Sequence, residues 1–273
     1  MGEIREGNES YALVTGAAGG LGRAFAEELA GRGYDTILTD LPGTGLPQLC
    51  SDITAQYGTR AIYYETDLTD IDNVITVAKD INSRYNLFLL INNAGVGGTR
   101  RFGDASIDYI NNIVQLNVMA PTILTKMVLP NLQRQQRSYI LNVSSMAAFT
   151  PIAFKTAYPA SKAYIHYFTM GLGEEYRRSN ISISVVYPGP MKTNPEITER
   201  IKRHGFFGKV GLLSPGRVAS LSIRQLFNRT PLIMLDGNRL TWFVMKLLPM
   251  RIRLSLFSRA VKRELRKRSD SDE

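Results

Sequence analysis

The sequence predicts an α/β protein built on a doubly wound parallel sheet of about seven strands, with a helical extension at its C-terminal end. Three observations predict it. A short apolar run, Tyr11-Ala-Leu-Val-Thr15, leads directly into the glycine cluster Gly16-Ala-Ala-Gly-Gly20-Leu-Gly22, and a helical stripe carrying Phe25 and Leu29 follows. Apolar runs of strand length then alternate with amphipathic helical stretches, which right-handed crossovers turn into a parallel sheet. A tyrosine and a lysine, Tyr158 and Lys162, stand four residues apart on one helical face, 13 positions after Ser145.

Composition is compatible with that class. A chain of 273 residues suits one large α/β domain, and 44% apolar with 21% charged residues is ordinary for a globular protein. Cys50 is the one cysteine, which excludes an intramolecular disulfide, and two histidines, His166 and His204, are too few for a histidine-rich metal site. No metal is expected. The segment Met1 to Ser10 is polar and carries no signal peptide, and no run of 18 or more apolar residues is present to span a membrane. The expected compartment is reducing and cytoplasmic.

Taken in order, strand one is Tyr11–Thr15. The turn after it suits a phosphate: glycines let the backbone approach, and the helix N-terminus favours the negative charge. Its spacing, Gly-x₃-Gly-x-Gly, differs from the Gly-x-Gly-x-x-Gly most often quoted for dinucleotide folds. Strand two, Thr36–Thr39, ends in Asp40, 24 residues after Gly16. An acid there accepts hydrogen bonds from ribose hydroxyls and repels a 2′-phosphate, so NAD is expected over NADP; a plain turn-opening aspartate is the alternative. Strand three is Ala61–Thr66, ending at Asp67-Leu68, and strand four is Phe88–Ile91, running into Asn92-Asn93-Ala94-Gly95. Strand five, through Tyr139–Val143, leads to Ser145; strand six is Ile183–Tyr187 and strand seven Pro231–Leu235.

The chemistry sits between Ser145 and Lys162. An ammonium beside a phenol favours the phenolate, moving it from a pKa of roughly 10 towards the working pH. A tyrosine so tuned exchanges a proton with an alcohol or carbonyl oxygen, and a serine hydroxyl can bond the same oxygen. Tyr-x-x-x-Lys alone is common on helices and means nothing by itself. Here it has company.

Thr15-Gly16-x-x-x-Gly20-x-Gly22, Asp67-Leu68, Asn92-Asn-Ala-Gly95, Asn117, Ser145, Tyr158-x-x-x-Lys162 and Pro188-Gly189 occur in the order and spacing of the short-chain dehydrogenase/reductase family. The chain resembles that family from about Tyr11 to Leu235, which implies a Rossmann-like fold and an NAD(P)-dependent oxidoreductase. The resemblance implies Tyr158 as acid/base, Ser145 as the group that polarises the substrate oxygen, and Lys162 as the group that holds the nicotinamide ribose and lowers the Tyr158 pKa. Asn117 would position a water relaying protons to Lys162. Gly16, Gly20, Leu21, Gly22 and Asp40 would hold the cofactor with Asp67 and Leu68 at the adenine. Asn92, Asn93, Ala94 and Gly95 would line the adenosine side, and Pro188, Gly189 and Thr193 the nicotinamide end. Ser144 is a neighbouring candidate that the 13-residue spacing disfavours.

Two features depart from the plainest family pattern. Pro159 follows Tyr158, which is tolerable only in a first helical turn. The chain also continues past strand seven, dividing it into residues 1–238, with a substrate loop at about 190–213, and a basic amphipathic tail at 239–273. Net charge is +9, and from Arg251 to Arg268 eight Lys or Arg face one acid, Glu264. Apolar residues edged by cations suit an interfacial helix on an anionic membrane, with no spanning segment; the alternative is packing on the domain or on a dimer partner. No nucleic-acid motif accompanies the charge. Met146, Phe149, Phe154, Phe206 and Phe207 offer an apolar substrate pocket, with Arg100 and Arg101 near an anionic head group or simply solvated. The expected activity is interconversion of a secondary alcohol and a ketone on a hydrophobic or lipid-like substrate, steroid, retinoid, 3-ketoacyl or ketosphinganine in type. A small soluble substrate, with the tail used for homo-oligomer assembly, and a non-enzymatic cofactor-binding sensor are the alternatives.

Overall fold

The computed structural model describes residues 10–189, 213–235, 242–243 and 247–269, the last six of these as backbone only. The strands are β1 (Ser10–Thr15), β2 (Asp35–Asp40), β3 (Ala61–Glu65), β4 (Asn86–Asn92), β5 (Ser138–Val143), β6 (Ile181–Val186) and β7 (Leu232–Ile233). They form one parallel sheet in the order β3-β2-β1-β4-β5-β6-β7. The order reverses between β1 and β4, so the chain leaves these two strands in opposite directions and opens a crevice at their carboxyl ends. That crevice is where the glycine turn and Asn92-Asn-Ala-Gly95 meet.

Side chains alternate between the two faces of the sheet, as the pleat requires. Ala12, Val14, Leu38, Tyr139 and Leu141 pack with α1 (Gly20–Gly31), α2 (Leu46–Tyr57) and, through Val218, Leu221 and Leu226, α7 (Pro215–Phe227). Tyr11, Leu13, Ile37, Leu87 and Ile140 pack on the other face with α3 (Ile71–Arg84) and α5 (Ala120–Gln133). Local signals set the helix starts. Asp70 caps α3 by accepting from Asp72 N–H at 2.9 Å, and Ser106 caps α4 (Ile107–Val114) by accepting from Tyr109 N–H at 3.2 Å. Ser214 caps α7, with Pro215 at its first position.

α4 runs through a π turn, Gln115–Met119, into α5, making a continuous 27-residue helix. By length and apolar composition that helix could cross a membrane, although no uninterrupted apolar run stands out in the sequence. Its apolarity is core packing: Leu124, Val128 and Leu132 are buried in the cluster beneath the sheet. α6 (Ala157–Glu175) begins one residue before Tyr158, so Pro159 falls in its first turn, where a missing N–H breaks no helical bond. Pro249 ends the preceding segment, and its carbonyl accepts from Ile252 and Arg253 at the start of α8 (Met250–Ser269). Of the apolar tail stretch Leu240–Leu248, only 242, 243, 247 and 248 lie among the described residues.

Candidate active site

The crevice at the β1 and β4 carboxyl ends is a cleft of about 830 Å³. Gly16 takes φ +65°, the left-handed region that favours glycine, and a Cβ there would come within 2.8 Å of Ala94 Cα. A Cβ at Gly22 would overlap the Gly16 carbonyl oxygen. The two turns are laced together: Thr15 Oγ1 accepts from the Asn93 and Ala94 amides at 3.0 Å each, and Asn93 Nδ2 donates to Thr15 O at 2.9 Å. Gly19, the N-cap of α1, brings no side chain to the first-turn amides, which leaves them for an anion. Asp40 closes the far wall, its carboxylate accepting from Ala18 N–H and Leu41 N–H at 2.8 Å each. Asp40, Asp67 and Asp108 line the cleft, and among the described residues no lysine or arginine does. These residues fit a dinucleotide, on the cradle geometry and the free amides at the helix start.

Gly16, Leu21, Asp40, Asp67, Leu68, Asn93, Ala94 and Gly95 line the cleft as expected from sequence. Others fall elsewhere. Gly20, at φ +54°, shapes the turn, and Gly22 permits the close approach beneath it. Asn92 turns away from the cleft: its Nδ2 donates to Asn142 Oδ1 at 2.8 Å and Thr125 Oγ1 at 3.0 Å within the core. It is the last residue of β4, so its side chain alternates away from that of Asn93. Pro188 is buried, and its carbonyl accepts from Met146 N–H at 3.2 Å. Thr193, His204, Phe206, Phe207 and nearly all of the substrate loop lie outside the described residues. Gly19, Leu41, Thr66, Thr69, Val96 and one face of α4, with Tyr109 and Asn112, also line the cleft and were not anticipated. The helical spacing of Asp108, Asn111, Asn112 and Leu116 was the available signal for the α4 face.

Behind Gly95 and Val96, which line the cleft, three elements converge, although Asn117, Ser145, Tyr158 and Lys162 do not line it themselves. Ser145 follows β5 and opens a 3₁₀ turn, Met146–Phe149; its Oγ accepts from Ala147 N–H at 3.1 Å, and its hydroxyl acts on the Tyr158 phenol. Ser144 is spent on structure, its Oγ donating to the Lys162 carbonyl at 2.8 Å. Lys162, buried on α6, donates from Nζ to the Val143 carbonyl at 2.9 Å. The backbone at Gly95 touches this group, since a Cβ there would sit 3.0 Å from Asn117 Oδ1 and 3.2 Å from Lys162 Nζ. A Cβ at Gly97 would come 3.0 Å from the Tyr158 ring. Asn117, in the π turn, clasps Val96 by accepting from its N–H and donating to its carbonyl, both at 2.8 Å, and donates to Ser161 Oγ at 2.9 Å. Its side chain is therefore fully engaged in holding the loop after β4. A π turn at such a position re-aims a helical residue and is frequent at functional sites.

The electrostatics differ from the sequence expectation. Burial pushes the Tyr158 phenol above its ordinary pKa, and the hydrogen bond from Ser145 opposes that rise. The lysine ammonium is not what lowers it here, because it points at the Val143 carbonyl. Burial also pulls Lys162 down from 10.5 to about 8. Both shifts have one cause, a site closed to solvent where neither charged form is well solvated.

On the outer side of Tyr158 a narrow crevice is lined by Phe102, Ile113 and Phe154, with Arg100 and Lys155 at its edge. Arg100 lies over the Tyr109 ring at 5.0 Å, and its N–H donates to the Phe154 carbonyl at 2.7 Å. Phe154 itself takes φ +67°, a strained backbone for a bulky residue. Phe149 does not line this crevice; it packs with His166, Tyr187 and Trp242.

Sheet order, glycine turn and cleft define a dinucleotide-binding α/β protein. A family model described as short chain dehydrogenase matches residues 10–203. The chain belongs to the short-chain dehydrogenase family. It is similar to the very-long-chain 3-oxoacyl-CoA reductase of Anas platyrhynchos, at 31% identity over 185 residues, 66% of this chain and 59% of that protein. It thus spans less than two thirds of that relative. It is also similar to the ketoacyl reductase HetN of Nostoc sp., at 29% identity over 240 residues, covering 86% of this chain and 82% of that one. Among solved structures, the short-chain dehydrogenase from Sphingobium yanoikuyae in complex with NADPH shares the fold, with a TM-score of 0.75, 24% identity, and coverage of 87% and 92%.

Proposed function

We propose that the protein is an NAD(H)-dependent oxidoreductase that interconverts a secondary alcohol and a ketone on a hydrophobic, lipid-like substrate, a 3-oxoacyl chain foremost. The observation that carries this reading is the convergence of the buried Tyr158 phenol, with Ser145 acting on it, and of Asn117 and Lys162 meeting at Gly95, beside a cleft fit for a dinucleotide. When bound there, the nicotinamide supplies or accepts the hydride. In the reducing direction Ser145 and Tyr158 hold the ketone oxygen by two hydrogen bonds, and Tyr158 gives it a proton as charge develops on it. Lys162 would hold the ribose of the bound cofactor; Asn117, through Val96 and Ser161, keeps the loop and α6 in register. The oxidising direction runs the same proton back from the alcohol to Tyr158. The carboxylate of Asp40, with no cation among the described residues of the cleft lining, supports NAD over NADP.

The substrate class draws on the acyl reductases to which the chain is similar and on the apolar side chains around Tyr158. Two further parts of the reading concern partners. Ile107 and Tyr167, 84% and 73% exposed on α4 and α6, suit a second copy of the chain. Leu247, Ile252 and Leu256 are exposed on the tail among Arg251, Arg259, Lys262 and Arg263, which suits peripheral contact with an anionic membrane on the cytoplasmic face. The test of the activity is turnover of 3-oxoacyl thioesters and steroid ketones with NADH and NADPH, in the intact enzyme and in Tyr158→Phe. That variant loses the transferable proton, so kcat should fall by about 10² or more with NADH binding retained. Near-normal turnover by Tyr158→Phe ends the reading.

A further inference from the structure

The C-terminal helix is built into the wall behind the turn that carries Ser145. Arg253 Nη1 donates to the Phe149 carbonyl at 2.8 Å, across 104 residues of sequence. Ser258 Oγ accepts from the Ala153 amide at 3.0 Å. Trp242 stands edge-on to the Phe149 ring, at 6.3 Å between centroids. Arg253, Ser258 and Val261 share the face of α8 turned towards the domain, and Val261 is buried. Phe149 is held from its other side by Tyr187 and His166, which hydrogen-bond one another.

That turn needs outside support. It is a four-residue 3₁₀ helix, whose hydrogen bonds are poorly aligned by nature, and its internal bonds are few: Ala148 N–H to Ser145 O at 3.0 Å and Thr150 N–H to Ala147 O at 3.3 Å. Arg253 is no solvated surface charge either. Its Nε is buried and finds no hydrogen-bond partner among the described residues, so the guanidinium is held by the carbonyl it donates to. A buried donor left unmatched persists where the rest of the group is tied to something that gains from it.

We infer that α8 is a working part of the active site and that Arg253 is a positioning residue, fixing through Phe149 the turn that keeps Ser145 against Tyr158. The inference rests on Ser145 and Tyr158 as the reacting groups. Substrate enters nowhere in its first test. In the full chain labelled with ζ-¹³C tyrosine, the Tyr158 resonance, identified by its loss in Tyr158→Phe, reports how the Ser145 turn meets the phenol. Arg253→Met keeps the apolar stem and removes the donors; it should shift that resonance, and Arg253→Lys, which restores a donor, should move it back. With 3-oxododecanoyl thioester and NADH, Arg253→Met should lower kcat by about 10- to 100-fold, the scale of a misplacement near 1 Å, while NADH binding stays unchanged. Ser258→Ala removes the second tether and should act in the same direction; it carries the comparison if Arg253→Met does not fold. A Tyr158 resonance unmoved in whichever variant folds overturns the inference, even where the melting temperature drops, because α8 is then only a cover. So does a moved resonance with wild-type kcat. An enzyme inert towards the thioester counts against the proposed activity alone, and the resonance still decides the role of Arg253.

Discussion

Lys162→Met should leave the cofactor-free protein as stable as the parent near neutral pH, or more stable, while removing its activity. Lys162 is 6% exposed, and burial lowers its pKa from 10.5 to about 8. At 1.36 kcal/mol per pH unit, holding that charge in the fold costs about 3 kcal/mol relative to the unfolded chain. Against this stands the hydrogen bond to the Val143 carbonyl, whose loss leaves a buried acceptor unpaired at about 1–3 kcal/mol. The net at about pH 7 is therefore between no change and about 2 kcal/mol in favour of the methionine.

The pH dependence is the sharper part. Below about pH 8 the lysine is charged in both states and the full cost is present. From about 8 to 10.5 it is neutral when folded and charged when unfolded, so the unfolded state binds more protons and stability rises with pH. Above 10.5 the cost is gone. Urea unfolding of both proteins between about pH 7 and 10.5 should show the wild type gaining about 3 kcal/mol relative to Lys162→Met, with other titrations cancelling in the difference. A difference that stays flat across this range refutes the reasoning, because Lys162 would then be solvated well enough to keep its ordinary pKa. Retaining a cation at this cost makes sense where the charge serves the site, here one residue contact from Gly95.

Asp40→Ala should weaken NADH binding by about 1–3 kcal/mol, the scale of a lost charged hydrogen bond, and narrow the gap to NADPH; tighter NADPH binding by the unmodified protein in a fluorescence titration would reverse the cofactor assignment. Gly22→Ala places a methyl group on the Gly16 carbonyl and should cost cofactor affinity and melting temperature together, read by titration and calorimetry; an alanine variant that binds NADH normally means the turn has room that its geometry denies. Intact protein should sediment with phosphatidylserine vesicles at low salt and release at high salt, each engaged cation contributing about 1 kcal/mol, and Leu247→Ser with Leu256→Ser should weaken this; indifference to the vesicles at low salt removes the membrane contact.

The sheet was legible because its signals are local. Tyr11–Thr15 followed by glycines and then by Phe25 and Leu29 can form little except strand, turn and helix, and the structure returns those elements within a residue. The seventh strand shows the limit. Pro231–Leu235 reads as five residues, yet only Leu232 and Ile233 pair, opposite Val185 and Val186. β7 lies at the sheet edge, and a strand there extends only as far as its single neighbour does. The π turn at Gln115–Met119 carried no sequence mark at all. It accompanies the clasp between Asn117 and Val96, a contact between distant segments that residue spacing does not encode.

Residue spacing anticipated which side chains the fold brings together at Gly95 and not their electrostatics. The 13-residue spacing separated Ser145 from Ser144, and the two hydroxyls do differ: Ser144 donates to the Lys162 carbonyl, while Ser145 is the one that acts on the phenol. Four-residue spacing put Tyr158 and Lys162 on one face, but a lysine stem is long enough to carry the ammonium past a neighbour, and it ends at Val143. The tail shows the same limit in another form. Apolar residues among cations satisfy both a membrane helix and a packed helix, since each needs one greasy side and one charged side. Three-dimensional placement divides the two demands: Arg253, Ser258 and Val261 turn inward, while Ile252 and Leu256 stay exposed. Because these sets are separately placed, substitutions at 253 and 258 address the Ser145 turn, and those at 247, before α8, and 256, exposed on it, address the surface. A tail used for only one purpose would answer to only one of the two sets.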